Sequence, residues 1–270
     1  MTSAEWADAG TGWRARVGSA THAGRRENNE DHVHVDPDYP FALVLDGMGG
    51  QAAGEVASLK GAAAVRAALG RGVESGAPPH RIIEDALREG NEAVLELGRS
   101  GAEFRGCGTT VVLALWHGGD VHVSWLGDSA AFLVSGGRAS KLTWEHNLTR
   151  MLLRHGVITA EEAREHRTDN ILLRFLGSEE SREAVEVSAF TPTPGDRLVL
   201  ATDGVTGVLS DADVARACLS HSDPGRCAEE LVRLALERGS RDNCTCAVIA
   251  FEPARGAAPR PARRWWQIWR

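Results

Sequence analysis

Three aspartates stand at the ends of apolar, strand-like runs. Asp46-Gly47 closes Phe-Ala-Leu-Val-Leu, Asp203-Gly204 closes Leu-Val-Leu-Ala-Thr, and Asp242-Asn243 opens Cys-Thr-Cys-Ala-Val-Ile. One Asp-Gly pair is ordinarily a turn, since both residues tolerate the backbone of a tight reversal. Three pairs at strand ends have a second reading, in which their carboxylates converge at one sheet edge. Such an oxygen-only set suits hard cations such as Mg²⁺ and Mn²⁺ better than zinc, which favours histidine and thiolate. Two further acidic places join them: Gly127-Asp128-Ser129, and Arg26-Glu27-Asn28-Asn29-Glu30-Asp31.

The elements that must position these residues follow from hydrophobic period and turn signals. Short strand patterns cover residues 14–19, 32–35 and 41–45, and helical patterns cover 52–69 and 81–97. Residues 109–116, 121–126, 131–134 and 138–142 are separated by Gly-Gly and Gly-Asp signals and predict consecutive strands of an antiparallel meander. A helical stretch around Gly156 spans 147–166, strands return at 183–189 and 197–201, helices begin near Asp211 and Pro224, and 244–251 is a closing strand. Runs of strands with helix pairs between them predict an α+β layered domain rather than alternating βαβ units. The expected division is a flexible leader at 1–13, a catalytic domain at 14–252, and a basic Pro/Arg/Trp-rich tail at 253–270.

Composition narrows the function class. The 270 residues carry 30 basic and 37 acidic side chains, a net charge of −7. Five of the basic residues are arginines of the tail, which has no acid, leaving 25 basic against 37 acidic residues in the body, a net of −12. An acidic body repels nucleic acid, and a phosphorylated substrate too unless local cations reverse the sign. No run approaches the roughly 18 apolar residues of a membrane span. Five cysteines, an odd number, and no charged-then-apolar opening fit a reducing cytoplasm. In the tail, Trp265, Ile268 and Trp269 would share one helical face edged by Arg263, Arg264 and Arg270, as in segments that make weak membrane or partner contacts.

Read in order, Gly24-Arg25-Arg26-Glu27-Asn28-Asn29-Glu30-Asp31, Asp46-Gly47-Met48-Gly49-Gly50, Gly106-Cys107-Gly108-Thr109-Thr110, Gly127-Asp128-Ser129, Asp203-Gly204 and Asp242-Asn243 resemble the bacterial branch of the protein phosphatase 2C family. The resemblance covers residues 14–251. It implies a central β-sandwich of two antiparallel sheets flanked by helices on both faces, and a monomeric serine/threonine protein phosphatase that opposes bacterial serine/threonine kinases. Carried over, Asp46 would bridge two Mn²⁺ or Mg²⁺ ions, the Gly47 carbonyl would bind one, and Asp203 and Asp242 would hold the other. Asp128 would take part in a third ion site, Glu30 and Asp31 would position coordinated waters, and Arg26 would hold the substrate phosphate through two parallel hydrogen bonds. Two cations lower the pKa of a bound water and so supply hydroxide for in-line attack, with no covalent phosphoenzyme. Met48 stands where many eukaryotic relatives have histidine; a thioether cannot protonate the leaving oxygen, so the resemblance assigns that role to a coordinated water.

Two rival readings have sequence counterparts. Gly47-Met48-Gly49-Gly50-Gln51-Ala52 satisfies a dinucleotide-binding fingerprint, yet Asp46 sits where pyrophosphate would lie and residues 61–70 contain no acid for a ribose hydroxyl. A catalytically silent phosphoprotein-binding module would lack a metal ligand, and Asp46, Asp203 and Asp242 are all present. His146, in Leu-Thr-Trp-Glu-His-Asn, reads as an anchor of the chain before the flap at 147–177. Cys244 and Cys246 lack a second pair at zinc spacing and read as core. Ala20, Ala130, Glu145 and Asn147 depart from the family pattern without removing a ligand.

Overall fold

In a computed structural model, residues 2–8, 12–49, 53–165, 168, 171–182 and 185–253 are described. The described strands are β1 (Ser3–Asp8), β2 (Trp13–His22), β3 (Asp31–Val35), β4 (Phe41–Met48), β5 (Gly108–Thr109), β6 (Val111–His117), β7 (Asp120–Leu126), β8 (Ala130–Ser135), β9 (Arg138–Lys141), β10 (Val187–Phe190), β11 (Arg197–Ala201) and β12 (Cys244–Pro253). The helices are α1 (Ala53–Glu74), α2 (Pro79–Ser100), α3 (Leu148–Arg154), α4 (Ala160–Glu165), α5 (Asp203–Thr206), α6 (Asp211–Ser220) and α7 (Pro224–Glu237).

Successive side chains of a strand point to opposite faces, so a strand buried on both faces reads as an unbroken apolar run. In β4, Phe41, Leu43 and Leu45 pack with Leu69 of α1 and Ile83 and Leu87 of α2, while Ala42 and Val44 face the other way. β12 divides likewise: Cys246 and Val248 pack with Cys218 of α6 and Leu231 of α7, whereas Ala247, Ile249 and Phe251 meet Ala42 and Val44 in a shared core. The three cores lie between α1/α2 and one sheet, between the sheets, and between the second sheet and α6/α7. The result is the four-layer sandwich that the sequence implied.

One sheet runs β1-β2-β12-β11-β8-β9 and the other β10-β7-β6-β4-β3, with β5 pairing β4; every pairing is antiparallel. Three expectations are corrected. Residues 3–8 are not a loose leader but an edge strand in register with β2, Trp6 pairing with Ala15 and donating its indole N–H to the Asp36 carbonyl at 2.8 Å. The strands from 109 to 142 are not one meander. They are two hairpins in different sheets, β6–β7 and β8–β9, with the chain crossing the sandwich at Gly127-Asp128-Ser129. Gly127 has a φ of 104°, a conformation an L side chain rarely adopts, and this turns the chain out of one sheet and into the other. Finally, the strand expected at 183–189 starts at Val187, where pairing with β7 begins. Of the tail, only Pro253 lies within the described residues, at the end of β12.

Candidate metal and phosphate site

Antiparallel register gathers the acidic residues. Asp31, first residue of β3, is the Cα partner of Asp46 near the end of β4. Leu126 ends β7 opposite Val111, and Asp128 follows in the crossing. In the second sheet Ala201, at the end of β11, pairs both Ala130 and Cys246, which places Asp203 and Asp242 at the same end of the sandwich. Asp31, Asp46, Asp128, Asp203 and Asp242 thus share one rim, where their charges act on one another.

Burial and mutual repulsion set their electrostatics. Asp31, 9% exposed, is pushed up to about 7, chiefly by loss of solvent, with Asp203 and Asp242 adding to it. Asp128 also rises to about 7, by burial and then by Asp203. Burial raises Asp46 well above the carboxylate range, followed by repulsion from Asp31, Asp203 and Asp128. Asp203 rises by burial, and its hydrogen-bonding contact with Asp46 opposes the rise. Glu30 rises for the same first reason, while Arg26 lowers it.

The scaffold around these carboxylates is held by side chains to which the sequence reading gave no role. Asn243 accepts from the Glu30 N–H at 2.8 Å and donates to the carbonyls of Ala23 and Asn28 at 2.9 Å each. It therefore binds the Arg26–Asp31 loop to the start of β12. Thr202 donates to Asp31 Oδ2 at 2.9 Å, and Thr110 accepts from the Asp46 N–H at 3.0 Å. The Asp46 carbonyl receives the Thr110 N–H at 2.8 Å and the Thr109 hydroxyl at 2.9 Å. A Cβ on Gly204 would stand 1.8 Å from the Asn243 carbonyl, so only glycine lets α5 approach β12 this closely. The signal for Asn243 was its place after Asp242, that for Thr109 and Thr110 their place in the Gly106–Thr110 motif, and that for Thr202 only its position before Asp203. His146 anchors the crossing, donating its backbone N–H to the Gly127 carbonyl at 2.8 Å and accepting the Gly127 N–H on Nδ1 at 3.3 Å. Asn147 caps α3 by accepting the Arg150 N–H at 2.9 Å.

Arg26 lies against Asp242 rather than free in solution, with Nη2 2.7 Å from Oδ2 and both side chains well exposed. Gly47 is buried in β4, its N–H donating to the Glu30 carbonyl at 3.1 Å.

The protein phosphatase 2C family profile matches residues 19–234. The chain belongs to the protein phosphatase 2C family. It is 32% identical over 225 residues to the serine/threonine protein phosphatase PstP of Mycobacterium tuberculosis, covering 83% of this chain and 42% of PstP. It thus spans about two fifths of that relative's length. The serine/threonine phosphatase stp of Listeria innocua is 32% identical over 240 residues, covering 85% of this chain and 93% of stp. A crystal structure of the PstP catalytic domain in complex with two manganese ions superposes with a TM-score of 0.74 at 29% identity, covering 89% of this chain and 99% of that one.

Protein phosphatase 2C enzymes are metal-dependent, and the rim fits a cation. Asp31 Oδ1 and Asp203 Oδ1 are buried and have no hydrogen-bond partner among the described residues. Buried oxygens without donors are costly, and clustered carboxylates that repel one another are stabilised by a bound divalent ion. Among the described residues no group of three acidic, histidine or cysteine side chains is placed to hold one metal ion together. Arg26 rather than another carboxylate stands against Asp242.

Proposed function

We propose that this chain removes phosphate from phosphoserine and phosphothreonine side chains of other proteins, opposing serine/threonine kinases. The observation that carries the reading is the rim itself: five aspartates at one end of the sandwich, two of them with buried oxygens that have no donor among the described residues. In this reading Asp46, the Gly47 carbonyl, Asp203 and Asp242 hold two Mn²⁺ or Mg²⁺ ions. Asp128, with Asp203, takes a third. Bound ions supply a nucleophilic water at neutral pH and neutralise the phosphoryl oxygens. Glu30 and Asp31 orient water at the rim, Asp31 itself fixed by Thr202. Arg26 exchanges its contact with Asp242 for the substrate phosphate, which its exposure permits. The five cysteines are all free thiols, which supports a reducing cytoplasm as the working compartment.

The test is phosphate release from a phosphothreonine peptide in Mn²⁺ and in EDTA, with Asp203→Asn as control. Release that needs both the metal and Asp203 is the expected result. Metal-independent release overturns the reading, and no release under any metal favours a silent phosphoprotein-binding module.

A further inference from the structure

Beside the acidic rim lies a groove of opposite character. The chain from the end of β9 to α3 runs along the sheet crossing that carries Asp128. Leu142 donates its N–H to the Ala131 carbonyl at 2.8 Å, Thr143 accepts the Ala131 N–H at 3.1 Å, and His146 is tied to Gly127. On this segment a groove of about 400 Å³ is lined by Lys141, Trp144, Glu145, Arg150, Leu153 and Arg154. It adjoins the rim closely enough that Lys141 and Glu145 both act electrostatically on Asp128.

The charges of the groove do not cancel. Glu145 is its single acid, and it engages both Lys141 and, at 2.6 Å, Arg150 Nε. Those two cations hold it ionised at about 2, against the effect of burial. Arg154 is left over, with no carboxylate partner among the described residues. Its guanidinium carbon stands 4.0 Å from the centre of the Trp144 ring. A guanidinium drawn to an indole by cation–π attraction still has N–H groups with which to meet a carboxylate. The platform is firm: Trp144 packs against the inter-sheet core and its carbonyl accepts the Trp125 indole N–H at 2.9 Å.

We propose that this groove docks acidic side chains flanking the phosphorylated residue, and that Arg154 is its specificity-determining contact. The inference rests on the phosphatase reading. A phosphopeptide must approach a body of net charge −12 whose rim is lined with carboxylates, and a cationic groove at the edge of that rim gives an acidic flank a place to land. The chain's own tail, with five arginines and no acid, is a poor occupant of a cationic groove.

The experiment uses the full chain in Mn²⁺ with three phosphothreonine peptides, alike except for alanine, glutamate or lysine flanks. The expected kcat/KM for the glutamate peptide is about tenfold above that for the alanine peptide, the worth of one charge-assisted hydrogen bond. In Arg154→Ala this preference falls below about twofold while the alanine peptide is cleaved as before; in Arg154→Glu it inverts in favour of lysine; Arg154→Lys retains part of it. Arg154 is exposed, and unchanged melting curves would show that the variants fold. Equal rates on the three peptides, or a glutamate preference that survives Arg154→Ala, overturns the inference. So does inhibition by single-stranded DNA as strong as by the glutamate peptide, since the groove would then be a general polyanion site. Absence of cleavage on all three peptides strikes the phosphatase reading instead.

Discussion

Asp31 and Asp46 are direct Cα partners across the β3–β4 pair, so two carboxylates share one face of one sheet at neighbouring positions. Like charges directly opposite one another destabilise a sheet. Here the penalty is compounded by burial, by Asp203, and by a carboxylate oxygen on Asp31 that has no donor among the described residues. An arrangement that works against the fold, and that a bound cation would relieve, is the mark of a site rather than of packing.

That conflict predicts an unusual pH dependence of the metal-free chain. Asp31 and Asp128 are raised to about 7 from an ordinary 3.8, so between those values the folded state binds more protons than the unfolded one. Stability then falls as pH rises through this window, by about 1.4 kcal/mol for each unit by which one group is raised. In EDTA the melting temperature should be higher at pH 5 than at pH 7.5 once other ionisations are matched with an Asp31→Asn control. Saturating Mn²⁺ should reverse the order, because cation and proton compete for the same oxygens. Melting curves at both pH values, with and without metal, decide it; a metal-free chain that gains stability from pH 5 to 7.5 in step with its control would contradict the electrostatics described.

Asp31→Asn should separate stability from activity. Asparagine keeps an oxygen to accept the Thr202 hydroxyl and removes the charge facing Asp46. The metal-free variant should be more stable at pH 7.5 by on the order of 2 kcal/mol, while phosphate release at saturating Mn²⁺ falls at least about tenfold through loss of a water-orienting carboxylate. Urea titration and a phosphate-release assay on the same preparation test both halves.

Much of this was legible in the chain because the chemistry and the layering have local signatures. Burial makes β4, β11 and β12 read as continuous apolar runs, and Asp46, Asp203 and Asp242 sit at the ends of those runs. The meander reading failed at residues 127–129 because Gly-Asp-Ser serves equally as a hairpin turn and as a crossing between sheets. Only the pairing of β8 with β11 rather than β7 distinguishes them, and that is a long-range choice. The edge strand β1 was missed for a related reason: its small and polar residues are those of an edge, and its order comes from Trp6 inserted beside Asp36, a contact 30 residues distant. Asn243 carries no periodicity at all; its importance is a matter of which three backbone groups it happens to reach.

Those three bonds make Asn243→Ala a test of how far the loop depends on β12. The substitution removes the acceptor of the Glu30 N–H and the donors to Ala23 and Asn28. Leaving part-buried backbone groups unpaired should cost about 2–4 kcal/mol by denaturant titration. Phosphate release should fall with a raised KM, since Glu30 and Arg26 ride on the freed loop. Asn243→Asp, which can still accept from Glu30 but cannot donate, should lie between. A variant with native stability and KM would show that the loop holds itself.

Arg26 gives the prediction that distinguishes its two partners. If it serves the substrate phosphate, its contact with Asp242 is a resting one between exposed side chains, of little worth to the fold. Arg26→Ala should then leave stability within about 0.5 kcal/mol of the original and leave Mn²⁺ binding undiminished or tightened, because Asp242 loses a competing cation. The same variant should lose about 10–100-fold in kcat/KM on a phosphothreonine peptide, mostly through KM, as expected when a charge-assisted anchor is removed. Arg26→Lys should recover only part of this, since an ammonium cannot present two parallel N–H donors. Calorimetric Mn²⁺ titration separates the roles: weakened metal binding in Arg26→Ala would make Arg26 a support of the metal site, and intact binding with a raised KM would make it the phosphate clamp.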